Sequence, residues 1–201
     1  EKFTSIVEEA EKLNADSADL DKQAGALRKD LDAAFISASL KAELRARIEG
    51  IQKKASEAKK KALQQRVDLC LNSVREETNA ALESKQQVLV LNVDIGADAK
   101  ASQRVLNTVK DLAPGLAFLG LSEEEPGSGG KVMVFASVPD SLVEAGLKAD
   151  EWVRAALENC SGRGGGKPGN AQGQAKECSD IGAAIDAANA FARTKVEAAV
   201  A

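Results

Sequence analysis

Residues 161–174 read SGRGGGKPGNAQGQ, a glycine-rich run that carries Arg163 and Lys167 and no acidic residue. Glycine lacks a Cβ, so the backbone at Gly164, Gly165 and Gly166 can turn its N–H groups into one concavity or let a foreign chain pass at van der Waals distance. Lys176 adds a third cation before any carboxylate appears. Phosphate or an RNA backbone is the natural guest of such a surface. A loop packed tightly on its own sheet, or a flexible linker, would use the same glycines for other ends, and the residues alone leave both open.

Two nucleotide motifs fail on this run. A phosphate-binding loop of the form G-x-x-x-x-G-K-[ST] would need glycine where Ser161 stands and a hydroxyl where Pro168 stands. The dinucleotide fingerprint G-x-G-x-x-G is met by Gly164, Gly166 and Gly169, but it requires a strand before it and a helix opening within it. The chain has no histidine, which removes Ser-His-Asp and Cys-His catalysis and histidine-bound zinc. Asp94 and Asp98 could be imagined as a metal pair, yet Asp98 is better placed to start a helix. No catalytic residue, metal ligand or cofactor is expected in this segment.

A second cationic feature lies upstream. Residues 39–66 hold Lys41, Arg45, Arg47, Lys53, Lys54, Lys59, Lys60, Lys61 and Arg66 against Glu43, Glu49 and Glu57, a local excess of positive charge within a chain of net charge −4. A solvated helix face accounts for such a run, and so does a nucleic-acid contact. The three cysteines, Cys70, Cys160 and Cys178, are an odd number at no metal-knuckle spacing and suit buried thiols in a reducing compartment. Cys160 and Cys178 flank the glycine run and could lie near each other, but a disulfide framework is not expected.

The elements that must position these residues differ between the two halves. Ile6, Ala10, Leu13, Ser17, Leu20, Ala24, Leu27, Leu31 and Ala34 recur at alternating steps of four and three, as in a heptad seam. Ser37 or Ser39 can cap a second helix running from Leu40 to about Leu82, with Leu44, Ile48, Ile51 and Ala55 on its stripe. Together they predict a long antiparallel, coiled-coil-like helical hairpin over residues 1–86, the stripe serving the hairpin seam or a dimer. Beyond it, VLVLNVDI (88–95), GLAFLGL (115–121) and KVMVFASV (131–138) read as strands, and Ala97 to Leu112 as a helix making the first two parallel. Helices at 147–158 and 181–198 complete a small α/β domain over 87–201, with 161–174 as its irregular cationic loop. No run approaches the roughly 20 apolar residues of a membrane span. The start on Glu1 points to a piece of something longer.

GLKADEWV (146–153) followed by GGGKPGNAQ (164–172) resembles the closing domain, called C-Ala, of alanyl-tRNA synthetases. Gly164, Gly165, Gly166, Lys167, Pro168, Ala171 and Gln172 fit that family's pattern at its spacing. Gly169-Asn170 depart from the Asp-Met common in bacterial members, which gives the variant a eukaryotic look. The resemblance implies a non-catalytic module that grips the elbow of tRNA(Ala), linking the aminoacylation and editing domains of the same chain. It also implies a globular part similar to the substrate-binding domain of DHH-type phosphodiesterases, and a helical part that supports homodimers. The parent would be a cytoplasmic ligase using ATP and Mg2+, with Zn2+ and a mitochondrial or plastid pool left open. Arg163, Gly164, Gly165, Gly166, Lys167 and Lys176 with Lys53, Lys54, Lys59, Lys60 and Lys61 are the RNA-binding candidates. A protein-interaction scaffold and a duplex-DNA binder are the alternative readings.

Overall fold

The structure, a computed structural model, describes residues 7–8 and 18–200, with the side chains of 18–22 and 197–200 excepted. The chain divides into two compact units, 1–65 and 66–201.

In the first unit, helix α1 spans Ala18–Ala33 and helix α2 begins at Ala38. The Ser37 hydroxyl accepts from the Leu40 N–H at 3.4 Å, which meets one of the N–H groups that a helix start leaves without a partner. Ala24, Leu27 and Leu31 bury themselves with Leu44, Ile48, Ile51 and Ala55 in one cluster that also holds Val7. Arg45 closes the connection by donating to the Asp32 carboxylate from Nη2 at 2.6 Å and from Nε at 3.1 Å. The expected seam positions Ile6, Ala10, Leu13 and Ser17, and the Leu20 side chain, lie outside the described residues. Helix α2 continues to Glu83.

The second unit is built on a five-stranded mixed sheet. Strand β1 (Val88–Asn92) runs parallel to β2 (Ala117–Glu123), as the helix between them requires. That helix, α3 (Ala99–Leu112), starts where the Asp98 carboxylate accepts from the N–H groups of Lys100 at 2.7 Å and Ala101 at 3.0 Å. Strand β3 (Val132–Ser137) returns antiparallel to β2. The short α4 (Asp140–Glu144) and α5 (Ala149–Glu158) follow, and α6 (Ile181–Val200) ends the fold.

Residues 161–174 are not an irregular loop. Arg163–Lys167 form β4 and Asn170–Ala175 form β5, paired antiparallel with each other, and β5 also pairs antiparallel with β3. The expected three strands are therefore five. Glycine has poor strand propensity, but here tertiary packing decides. A Cβ on Gly164 would stand 2.5 Å from Val153 Cγ1, so α5 can lie against β4 only because side chains are missing there.

The main core gathers the sheet face under α5 and α6: Leu119, Leu121, Val134 and Ala136 pack with Trp152, Val153, Ala156 and Ala188. Trp152 is wholly buried and donates its indole N–H to the Ala188 carbonyl at 2.8 Å. Cys160 and Cys178 form a disulfide, which corrects the expectation of reduced thiols. The β4–β5 pair folds the intervening chain back on itself, bringing their Cα atoms to 4.6 Å. Cys70 alone is free and is buried, which pushes its thiol pKa up.

Candidate nucleic-acid interface

Strand pleating sends alternate residues to opposite faces, and on β5 the two faces differ completely. Ala171, Gly173 and Ala175 are buried toward α5, while Asn170, Gln172 and Gln174 are exposed. The register sets Arg163 opposite Gln174, Gly165 opposite Gln172 and Lys167 opposite Asn170. All six are exposed and lie on one face, an uncovered polar shelf at the edge of the sheet.

Continuing this face inward, Gln172 pairs with Phe135 and Ser137 with Asn170. Phe135 is buried, as α3 covers β2 and β3 on this side. The helix thus makes a wall beside the shelf. A cleft of about 450 Å³ at its foot is lined by Lys110 and Pro114 from the α3 side, Pro139 and Asp140, and Lys167 and Asn170 from the hairpin.

The three hairpin glycines have different surroundings. Gly164 is pressed against Val153 and Leu157, and a Cβ on Gly166 would meet the Asn170 carbonyl oxygen at 2.5 Å. Gly165 alone of the three has open space where a side chain would stand. Bare backbone is thus offered outward at one position, in the middle of the shelf.

The cations are separated as well. Arg163 and Lys167 sit at opposite ends of β4, and Lys176 lies just past β5 beside Arg163. Arg163 and Lys176 line a second cleft of about 1020 Å³, apart from the one that Lys167 lines. Among the described residues none of the three makes an ion pair. Lys53, Lys54, Lys60 and Lys61 are exposed on α2 in the first unit, and Lys59 there is exposed with a partner of its own. Leu44, Ile48, Ile51 and Ala55 are buried within that unit's core.

Asp94 does not face Asp98 in a shared site. Its carboxylate accepts from Arg66, and this bond raises the arginine's pKa further. Asp98 is spent on capping α3. Among the described residues no group of three or more acidic, cysteine or histidine side chains could hold a metal. No described helix is long and apolar enough to cross a membrane. Sequence reasoning missed Lys110, Lys131 and the glutamines of β5. The alternation of small and amide residues from Asn170 to Ala175 was the signal that could have found the last of these.

A family model described as the DHHA1 domain matches residues 85–194, which include all five strands and both clefts. The cytoplasmic alanine–tRNA ligase of Drosophila melanogaster is 30% identical over 186 residues, covering 92% of this chain and 19% of that protein. The cytoplasmic alanine–tRNA ligase of Caenorhabditis elegans is 37% identical over 113 residues, 56% of this chain and 11% of that one. Among solved structures, the C-Ala domain of Aquifex aeolicus alanyl-tRNA synthetase aligns at 16% identity with a TM-score of 0.42, covering 55% of this chain and 89% of its own. The chain thus spans no more than about a fifth of the ligases it matches. It belongs to the DHHA1 domain family, and it is similar along most of its length to alanine–tRNA ligases.

Proposed function

We propose that this chain is the C-Ala module of an alanyl-tRNA synthetase, and that it binds tRNA(Ala) without catalysing a step itself. The observation that carries the reading is the open β4–β5 face, where Arg163 and Lys167 flank the bare Gly165 and neither is neutralised by an internal carboxylate among the described residues. Exposed cations without partners are available to phosphates, and amide side chains between them can reach sugar and base edges. The second unit's own balance is acidic, so binding depends on this local face and not on overall charge.

In this reading the folded corner of the tRNA, where its D and T loops meet, rests on the shelf. The first unit acts as a coiled-coil-like hairpin that spaces the module from the aminoacylation and editing domains of the parent. The relatives' names place them in the cytoplasm, and the same location is proposed here.

Mobility-shift titration with tRNA(Ala) tests the proposal, with Arg163→Ala plus Lys167→Ala as the variant. Wild type is expected to bind at low salt, and the variant to lower the slope of log affinity against log salt by about two. Absence of binding at low salt rejects the reading. Duplex DNA as competitor and light scattering on the same samples separate it from DNA binding and from a homodimeric scaffold.

A further inference from the structure

The second, larger cleft holds an arrangement of charge that the fold does not resolve internally. The β3–β5 ladder ends at the pair Val132 and Ala175, both buried. Lys131 immediately precedes β3 and Lys176 immediately follows β5, so the two flank the end of the ladder. Gln174 lies nearby in the same cleft, with Arg163 across from it on β4. All three cations line the cleft.

Like charges gathered at one cleft repel one another. Two acidic residues stand beside the cations in the fold. Glu124 lies on the other side of Lys131, its N–H donating to the Lys131 carbonyl at 2.8 Å, and Glu177 lines the cleft. Among the described residues neither pairs with any of the three cations. The cleft therefore has a surplus of positive charge with only Glu177 against it.

Its walls are fastened in advance. Cys178 is bonded to Cys160, and its N–H donates to the Gly129 carbonyl at 3.1 Å, tying the β2–β3 turn to the segment after β5. Ser161 is held at φ 51°, in the left-handed region that residues with a side chain seldom adopt. Ser161 and Ser179 line the cleft with the cations.

We infer that this cleft is a phosphate-binding site, taking one phosphate group between Lys131, Lys176 and Arg163. A guanidinium, two ammonium groups and hydroxyl donors suit a multiply charged tetrahedral anion with several acceptor oxygens. The group can come from a nucleic-acid backbone or as the free ion. The site rests on these side chains alone, and only its assignment to an RNA phosphate rests on the tRNA-binding reading above.

The test titrates inorganic phosphate into the whole chain in a low-salt, phosphate-free buffer, followed by side-chain NMR signals and by Tm. A parallel arm measures tRNA(Ala) affinity against salt. Lys131→Gln plus Lys176→Gln is the variant, with circular dichroism as the check on folding. Saturable shifts at Lys131, Arg163 and Lys176, with a Kd of roughly millimolar order, support the site if they weaken about tenfold or more in the variant. A variant Tm at or above that of wild type without phosphate, and a phosphate-induced rise in Tm confined to wild type, support it as well. If the phosphate belongs to RNA, the variant also lowers the tRNA salt slope by about two. Shifts that never saturate and are shared equally by Lys53 and Lys54 overturn the inference, whatever the tRNA arm gives. Saturable phosphate binding with no tRNA binding upholds the site and discards the tRNA reading.

Discussion

Gly164 and Gly173 face each other across the β4–β5 ladder, and a Cβ on Gly173 would lie 2.6 Å from the Gly164 Cα and 2.5 Å from Leu157 Cδ1. The pair lets α5 lie flat on the hairpin that carries the shelf. Gly173→Ala is expected to destabilise the chain by about 1–3 kcal/mol through overpacking. Gly165→Ala, at an open position, should stay within about 0.5 kcal/mol. Urea unfolding of the two variants beside wild type checks the contrast.

The thiols should report in a fixed order. In native protein the buried Cys70 is expected to react slowly with a thiol reagent, since burial raises its pKa and shields it. Urea without reductant should expose that single thiol, and reduction should expose Cys160 and Cys178 as well. Breaking the disulfide by Cys160→Ser plus Cys178→Ser is expected to cost about 2–4 kcal/mol in urea unfolding.

Acid should act on the first unit through Asp32. Its hydrogen bonds from Arg45 hold the carboxyl below the usual 3.8. A depressed carboxylate contributes stability that is complete above its unfolded pKa and is lost as pH falls through the folded one. Arg45→Gln should therefore lower Tm at neutral pH, and its gap from wild type should narrow as pH falls below about 4. Asp32 is exposed, so the gap is small.

Trp152 offers a probe of the main core. Trp152→Phe keeps most of the buried ring but removes the donor to the Ala188 carbonyl. The Ala188 carbonyl keeps its bond within α6, so a loss of about 0.5–1.5 kcal/mol is expected from that one hydrogen bond. Because the chain has only this tryptophan, unfolding must be followed by circular dichroism.

Local patterns made part of the fold legible. Asp98 at a helix start and the apolar runs on either side of α3 predict the parallel pair β1–β2, and the register has it so. Ser37 or Ser39 before Leu40 predicts a helix start, and the Ser37 hydroxyl is the one that accepts there. Strand β4 was hidden because Arg-Gly-Gly-Gly-Lys contains no β-branched or aromatic residue; it is a strand because α5 and β5 hold it there. The disulfide was hidden with it, since only the hairpin brings Cys160 back to Cys178.

The candidate site was legible in composition and illegible in arrangement. Arg163, Lys167 and Lys176 read as one cationic loop, but an extended β4 places Lys167 at one cleft and the other two at another. Lys131 carries no signal of its own in the sequence. It joins Lys176 only through the pairing of β3 with β5.

The link between Cys160 and Cys178 encircles the whole hairpin in a covalent ring. A protease cutting at the exposed turn around Pro168 would leave two fragments that travel together until reductant parts them. On a gel run without reductant, nicked molecules would be scored as intact.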